Sequence, residues 1–224
     1  MLARRLALVV LCALVASASL LQSELFATEI VYDSLENGVP PGGGRKINVG
    51  MQTGESLQIE SGAIITEMQL ALTTFGADGS LDYRIHFYDF VGYRTGPGPE
   101  LWVSPILSST TREREPIVVD IPVPSIRVRR SFIWTAEGVA ESGNGVFLAG
   151  IPSGTVGVAT GLFEQRRDGQ WFGERRDGGA EAGTRFSGVP IPEPQSIALS
   201  VVPFVAFLMQ SRKRVSTAMS RGRS

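Results

Sequence analysis

Cysteine is almost missing from this chain: of its 224 residues only Cys12 carries a thiol. Cys12 follows Leu11 inside an apolar run, whereas a lipid-accepting cysteine needs a small neighbour and a polar tail behind it. No thiol follows Cys12, so neither a disulfide nor a cysteine nucleophile is available to the rest of the chain. Histidine is as scarce. His86 is the single one, which excludes a histidine-rich zinc centre. Its place on the polar phase of an alternating stretch reads as a hydrogen-bonded or solvent-facing ring, not a general base.

Other catalytic signatures are absent as well. No Gly-x-Ser-x-Gly elbow occurs, and the glycine-rich "PPGGGRK" lacks the spacing and the Lys-Ser/Thr ending of a phosphate-binding loop. Asp/Asn turns such as "GADGS" lack the carboxylate density of a calcium loop. Glycoside hydrolysis needs only two carboxylates at the right separation, and no acidic pair stands out by spacing. The expectation is no cofactor, no metal and no catalytic residue. Binding fits the inventory better than catalysis.

Charge is unevenly placed. Setting aside Arg4, Arg5 and Glu24 at the front and Arg212, Lys213, Arg214, Arg221 and Arg223 at the back leaves 14 basic against 21 acidic residues, a balance of −7. A body of that sign is unsuited to nucleic acid or anionic lipid. Membrane contact therefore belongs to the ends.

The front, "MLARRLALVVLCALVASASLLQSELFATEI", sets Arg4 and Arg5 before an apolar run from Leu6 to Leu21, followed by small and polar residues. That is the layout of a secretory signal peptide. Cleavage fits after Ala18 or after Ala27. The later point is preferred, since the earlier one leaves Leu20 and Leu21 on the mature chain. Residues 1–27 are thus expected to be a signal helix handled by signal peptidase and the secretion machinery.

Residues 28–188 read as strands. "AIITEMQLAL" alternates, with Ile64, Met68, Leu70 and Leu72 on one face and Glu67 and Gln69 on the other. "LDYRIHFYDF" sets Tyr83, Ile85 and Phe87 against Asp82, Arg84 and His86. "PIVVDIPV" aligns Ile117, Val119, Ile121 and Val123, and "SIRVRRSFIWTAEGV" aligns Ile126, Val128, Phe132 and Trp134. Between these runs lie "ENGVPPGGG", "GADGS", "GPGPE", "ESGNG" and "IPSG". Helical spacing is hard to find. The pattern predicts a single all-β domain, an antiparallel β-sandwich or jelly roll of roughly eight to ten strands.

A short echo, "QRRDG" at 165–169 and "ERRDG" at 174–178, flanks "QWF". Its Asp-Gly pairs suit two tight turns. The other reading is a loop in which Arg166, Arg167, Arg175 and Arg176 surround Trp171. Among the aromatics able to stack on a sugar ring, Trp134 lies beside Phe132 and is assigned to the core. Trp171, in polar surroundings, is the candidate ligand-facing aromatic.

At the back, the apolar run from Ser196 to Met209 spans 14 residues. As a helix it would reach about 21 Å, short of a hydrocarbon core of about 30 Å, and Pro203 sits in its middle. The basic cluster Arg212, Lys213 and Arg214 would hold the C-terminal end in the cytoplasm, with the body outside. A plain single-span anchor is the alternative reading of this run.

Pro192-Glu193-Pro194, then a hydrophobic segment, then an arginine-rich end, behind a signal peptide, resembles the PEP-CTERM sorting signal of bacterial exosortase substrates. The resemblance covers residues 189–215, with a basic tail at 216–224. It implies a hydrophobic helix paused transiently in the inner membrane and recognition by an exosortase near Pro192 to Pro194. It further implies final location at the cell surface or outside, in a Gram-negative bacterium that makes exopolysaccharide. The body is loosely similar to the variable domains of such proteins through "IVYDS", "TEMQLAL", "IHFYDFVG", "GPGPELW" and "FIWTAEG", a likeness that carries no activity. The resemblance thus implies a non-catalytic surface or matrix protein. Carbohydrate-binding modules for exopolysaccharide and, behind them, carboxylate-dependent polysaccharide-active enzymes are the alternatives.

Overall fold

The computed structural model describes residues 27–36, 38, 39, 44–113, 115–151, 156–175 and 181–191. Most of the expected signal segment, the Pro-Glu-Pro motif, the apolar run, the basic cluster and the second Asp-Gly turn lie outside them. The chain divides into a unit ending at Pro190 and another from Ile191 to Ser224. Among the described residues no helix is long and apolar enough to cross a membrane.

The described part is all-β, with fourteen strands in place of the eight to ten expected. They are β1 (Glu29–Asp33), β2 (Gly44–Lys46), β3 (Gln52–Gln58), β4 (Ala63–Thr74), β5 (Gly79–Asp89), β6 (Glu100–Val103) and β7 (Leu107–Thr111). The second half supplies β8 (Ile117–Val128), β9 (Ser131–Gly143), β10 (Val146–Ile151), β11 (Val158–Gln165), β12 (Trp171–Arg175), β13 (Glu181–Ala182) and β14 (Thr184–Pro190). The excess comes from short pieces such as β2 and β13, too brief to show a period-two pattern.

Two seven-stranded sheets form, and every ladder between strands is antiparallel. Sheet I runs β1-β14-β4-β10-β13, with β8 on the other side of β4 and β2 beside β10. Sheet II runs β12-β11-β3-β9-β5-β6, with β7 also on β5. Successive long strands change sheet: β3, β5 and β9 belong to II, while β4, β8 and β10 belong to I. The Gly- and Asn-rich turns at 75–78 and 143–145 are therefore arches between layers rather than hairpins. The Asp168-Gly169 turn does close a hairpin, β11 to β12. Gly169, at φ 79°, takes the left-handed conformation that such a turn requires.

The core lies between the sheets and is aromatic at its centre. Phe186 of β14 meets Phe87 and Phe132 edge-on at 5.7 Å each, and packs tilted against Tyr32 at 6.0 Å and Trp134 at 6.3 Å. All five side chains are wholly buried. Tyr83, Ile85 and Phe87 face inward as their alternation indicates.

Two readings of the pattern need correction. Ile64 was expected beside Met68, Leu70 and Leu72, but Ile65 is the buried residue. The register of β4 against β8 shifts between Ile65 and Glu67, and such a bulge reverses which parity faces the core. The run "SIRVRRSFIWTAEGV" is not one strand. Ser125 to Val128 continue β8, whose bulge is marked by Ser125 at φ 47°. The break falls instead at the exposed pair Arg129-Arg130, where the chain crosses to sheet II.

On the outer face of sheet I a polar ladder ties four adjacent strands. Arg185 donates from Nε (2.9 Å) and Nη2 (2.8 Å) to Asp33 Oδ2 and from Nη1 to Gln69 Oε1 at 3.3 Å, and Gln69 Nε2 donates to Asp120 Oδ1 at 2.8 Å. Asp33 is buried and bound twice by one guanidinium, a geometry that fixes β14 between β1 and β4.

Candidate functional site

Trp171 does not lie in an open loop. It begins β12, paired opposite Gln165 of the hairpin, and projects from the outer face of sheet II. There it meets Tyr88 edge-on at 5.8 Å and joins a small outer cluster with Ile133, Phe163, Phe90 and Tyr93. The segment 90–98 crosses this face as a strap. Tyr93 stacks on Phe163 at 5.7 Å, and its hydroxyl donates to the Thr160 carbonyl at 2.7 Å. The strap fits because residue 161 is glycine: a Cβ there would collide with the Tyr93 ring. Of the four arginines near Trp171 in the sequence, Arg166 instead covers Phe172, 5.9 Å from its ring centre. Arg166, Arg167 and Arg175 are exposed, and Arg176 lies outside the described residues. Trp171 is thus half-buried, with part of its surface taken up by the protein itself.

His86 was expected, from its polar phase, as a hydrogen-bonded or solvent-facing ring, and the hydrogen-bonded form is the one found. It is buried (6%) although its parity is outward. Its Nδ1 lies 2.7 Å from Glu100 Oε1 and its Nε2 lies 3.1 Å from Glu137 Oε2. Both nitrogens donate to these carboxylates together only when the ring is the imidazolium cation. The ring also stacks on Tyr88, with centres 6.0 Å apart and planes at 5°. Tyr88 and Thr135 in turn donate to Gln52 Oε1 at 2.9 and 2.7 Å. Burial, in the first place, raises the Tyr88 phenol above its ordinary range, and Glu100 and Glu137 push the same way against the Gln52 hydrogen bond. The strip joins β3, β5, β6 and β9 through satisfied partners.

A second polar group lies between the sheets and was not visible in the sequence. Tyr32 of β1 donates to Glu181 Oε2 at 2.7 Å, and the Ala182 amide donates to Glu55 Oε1 at 2.8 Å. Burial raises the Tyr32 phenol far above its usual value, with the charges of Glu55 and then Glu181 adding to the effect. These side chains border a pocket of about 180 Å³ lined by Arg45, Gly54, Glu55, Leu148, Glu181 and Ala182 among others. Arg45 also pairs with Glu164 at 3.5 Å. The one available clue to Glu55 was its phase: it shares the parity of Thr53, Leu57 and Ile59 in "QTGESLQIE", a carboxylate on the apolar side of a strand. Glu181 follows a glycine-rich stretch with no period and gave no signal.

Among the described residues, no group of three or more His, Cys, Asp and Glu side chains is placed to hold a metal ion. Compared with known protein families and with characterised proteins, the chain matches none.

Proposed function

We propose that this chain is an exported, non-catalytic surface or matrix protein, delivered by its N-terminal signal and sorted through its C-terminal tail by an exosortase-type enzyme. One observation supports this above the others: every described strand lies between Glu29 and Pro190, and the first and last are paired to each other. Glu29 stands opposite Gly188 in an antiparallel ladder, so the chain enters and leaves the sandwich side by side. Cleavage after Ala27 and in the region of Pro192 to Pro194 then removes both terminal segments without removing a strand. Cleavage after Ala18 would leave nine extra residues beside the same edge.

In this reading the body is the cargo and the ends are its delivery system. Signal peptidase, the secretion machinery and an exosortase are transient partners, and contact with the inner membrane ends when the tail is cut. Arg212, Lys213 and Arg214 stop transfer, after which they are discarded with Ser196 to Met209. The test is mass spectrometry of protein recovered from the cell surface of an exosortase-bearing host. Termini at Thr28 and within Pro192 to Pro194 are expected; surface material that still carries Arg212 to Ser224 refutes the sorting reading.

A further inference from the structure

We infer that the end of the sandwich carrying Ile30, Val156 and Val158 rests on the lipid surface while the tail is held in the membrane. The inference rests on the reading that the apolar tail enters a bilayer, and adds to it a contact made by the folded body itself.

Geometry is the first argument. β1 begins and β14 ends at the same end of the sheets, since Glu29 pairs with Gly188 and Pro190 with Ala63. The crossings between sheets at 59–62 and 129–130 close that end: Ala63 pairs with Val128, and the Ile59 amide donates to the Arg130 carbonyl at 2.9 Å. Val158 joins them opposite Gln58. From Pro190 to Ser196, where the apolar run starts, there are six residue steps (196 − 190), a reach of at most about 20 Å. β4, with 12 residues, is about 40 Å long. A body tethered so closely cannot turn its opposite end to the bilayer, and this end must lie at or near the headgroups.

Surface chemistry is the second, independent argument. Ile30, Val156 and Val158 are 44%, 37% and 57% exposed. Ile30 and Val156 border, with Ile59 and Pro190, a hollow of about 240 Å³, so the apolar groups are contiguous rather than scattered. Contiguous exposed apolar groups mark interaction surfaces. The ionic side chains nearest this end are Glu29, Glu60 and Asp89 against Arg127, Arg129 and Arg130, a balance of zero (3 − 3), whereas the body carries −7. A neutral end with apolar side chains suits the headgroup boundary of a zwitterionic bilayer, into which such groups sink by about 5–10 Å. The acidic remainder favours standing away from the membrane.

The test is nitroxide accessibility by electron paramagnetic resonance on the full chain carrying Cys12→Ser, reconstituted in phosphatidylcholine vesicles. One cysteine is introduced at a time: Ile30→Cys or Val158→Cys at this end, Ser142→Cys at the opposite end, and Ala206→Cys inside the apolar run. A water-soluble nickel relaxant is expected to reach positions 30 and 158 at least about threefold less than position 142, and to be excluded from position 206. Adding Val156→Glu and Val158→Glu to the Ile30→Cys protein, with native circular dichroism, is expected to restore access at position 30 to the level of position 142. Equal access at 30, 158 and 142 with position 206 protected overturns this inference and leaves the membrane-held tail standing. A wet position 206 refutes both. Protection at position 30 that the two glutamates do not relieve assigns the cover to a second copy of the chain and likewise overturns the lipid contact.

Discussion

Replacing Phe186 by alanine tests whether the two sheets are one cooperative structure. Phe186 is wholly buried and in ring contact with Tyr32, Phe87, Phe132 and Trp134. Three of those four, Phe87, Phe132 and Trp134, belong to sheet II, while Phe186 itself sits on β14 of sheet I. Truncating a buried phenylalanine costs about 3–5 kcal/mol, the transfer of the ring plus the cavity left behind. Aromatic pairs contribute a further ~0.5–1.5 kcal/mol each beyond buried area, so the upper end, about 5 kcal/mol, is expected here. Phe186→Leu keeps most of the volume and loses the ring geometry, for an expected cost of about 1.5 kcal/mol. Urea unfolding followed by tryptophan fluorescence reads both, since Trp134 lies against Phe186. With a slope of about 2 kcal/mol per molar urea, the alanine variant moves the midpoint down by about 2.5 M and the leucine variant by less than 1 M. An alanine cost below about 1 kcal/mol would mean that the inner faces of the sheets do not interlock around this ring, and would refute the packing described.

Two further outcomes follow from the buried polar groups and the strap. Burial holds the phenols of Tyr32, Tyr83 and Tyr88 neutral above the ordinary tyrosine range, so the unfolded chain releases these protons near pH 10 while the folded chain retains them. The unfolded state then binds fewer protons, and stability, intact below about pH 10, declines as pH rises beyond it; reversible phenol ionisation near pH 10 with native circular dichroism, read at 295 nm, would contradict this. Gly161→Val drives a branched side chain into the Tyr93 ring and toward the Glu174 carbonyl oxygen, 2.6 Å from the new Cβ, and is expected to cost about 2 kcal/mol or more; adding Tyr93→Ala removes the ring but not the carbonyl and is expected to recover part of that loss in a double-mutant cycle, whereas strictly additive losses would show that the strap does not sit on Gly161.

Much of the sandwich was legible because its central strands obey period two. Tyr83, Ile85 and Phe87 could be placed inside from spacing alone, since Asp82, Arg84 and His86 alternate with them; Phe132 and Trp134 share one phase as well, although Ile133 between them is apolar and belongs to the outer cluster. The reading failed where the backbone leaves that period. At the β4–β8 bulge one extra stretch of chain moved Ile65 inward in place of Ile64, and at Arg129-Arg130 a change of sheet looked like continuous alternation. Sequence patterns record which way side chains point but not which strands are neighbours, and the polar groups depend wholly on neighbours. His86 lies outward by parity and is nevertheless buried, because Glu100 and Glu137 come from β6 and β9 on either side of it. Glu55 and Glu181 come from different sheets, and the link between them is the Ala182 amide, next in chain to Glu181, which donates to Glu55 across the layers. Trp171 drew attention for the polarity of its neighbours in sequence, yet its neighbours in space are Tyr88 and the strap. A charged residue on the apolar phase of a strand is the more informative mark: Glu55 breaks the alternation of "QTGESLQIE", and that position borders the pocket between the sheets.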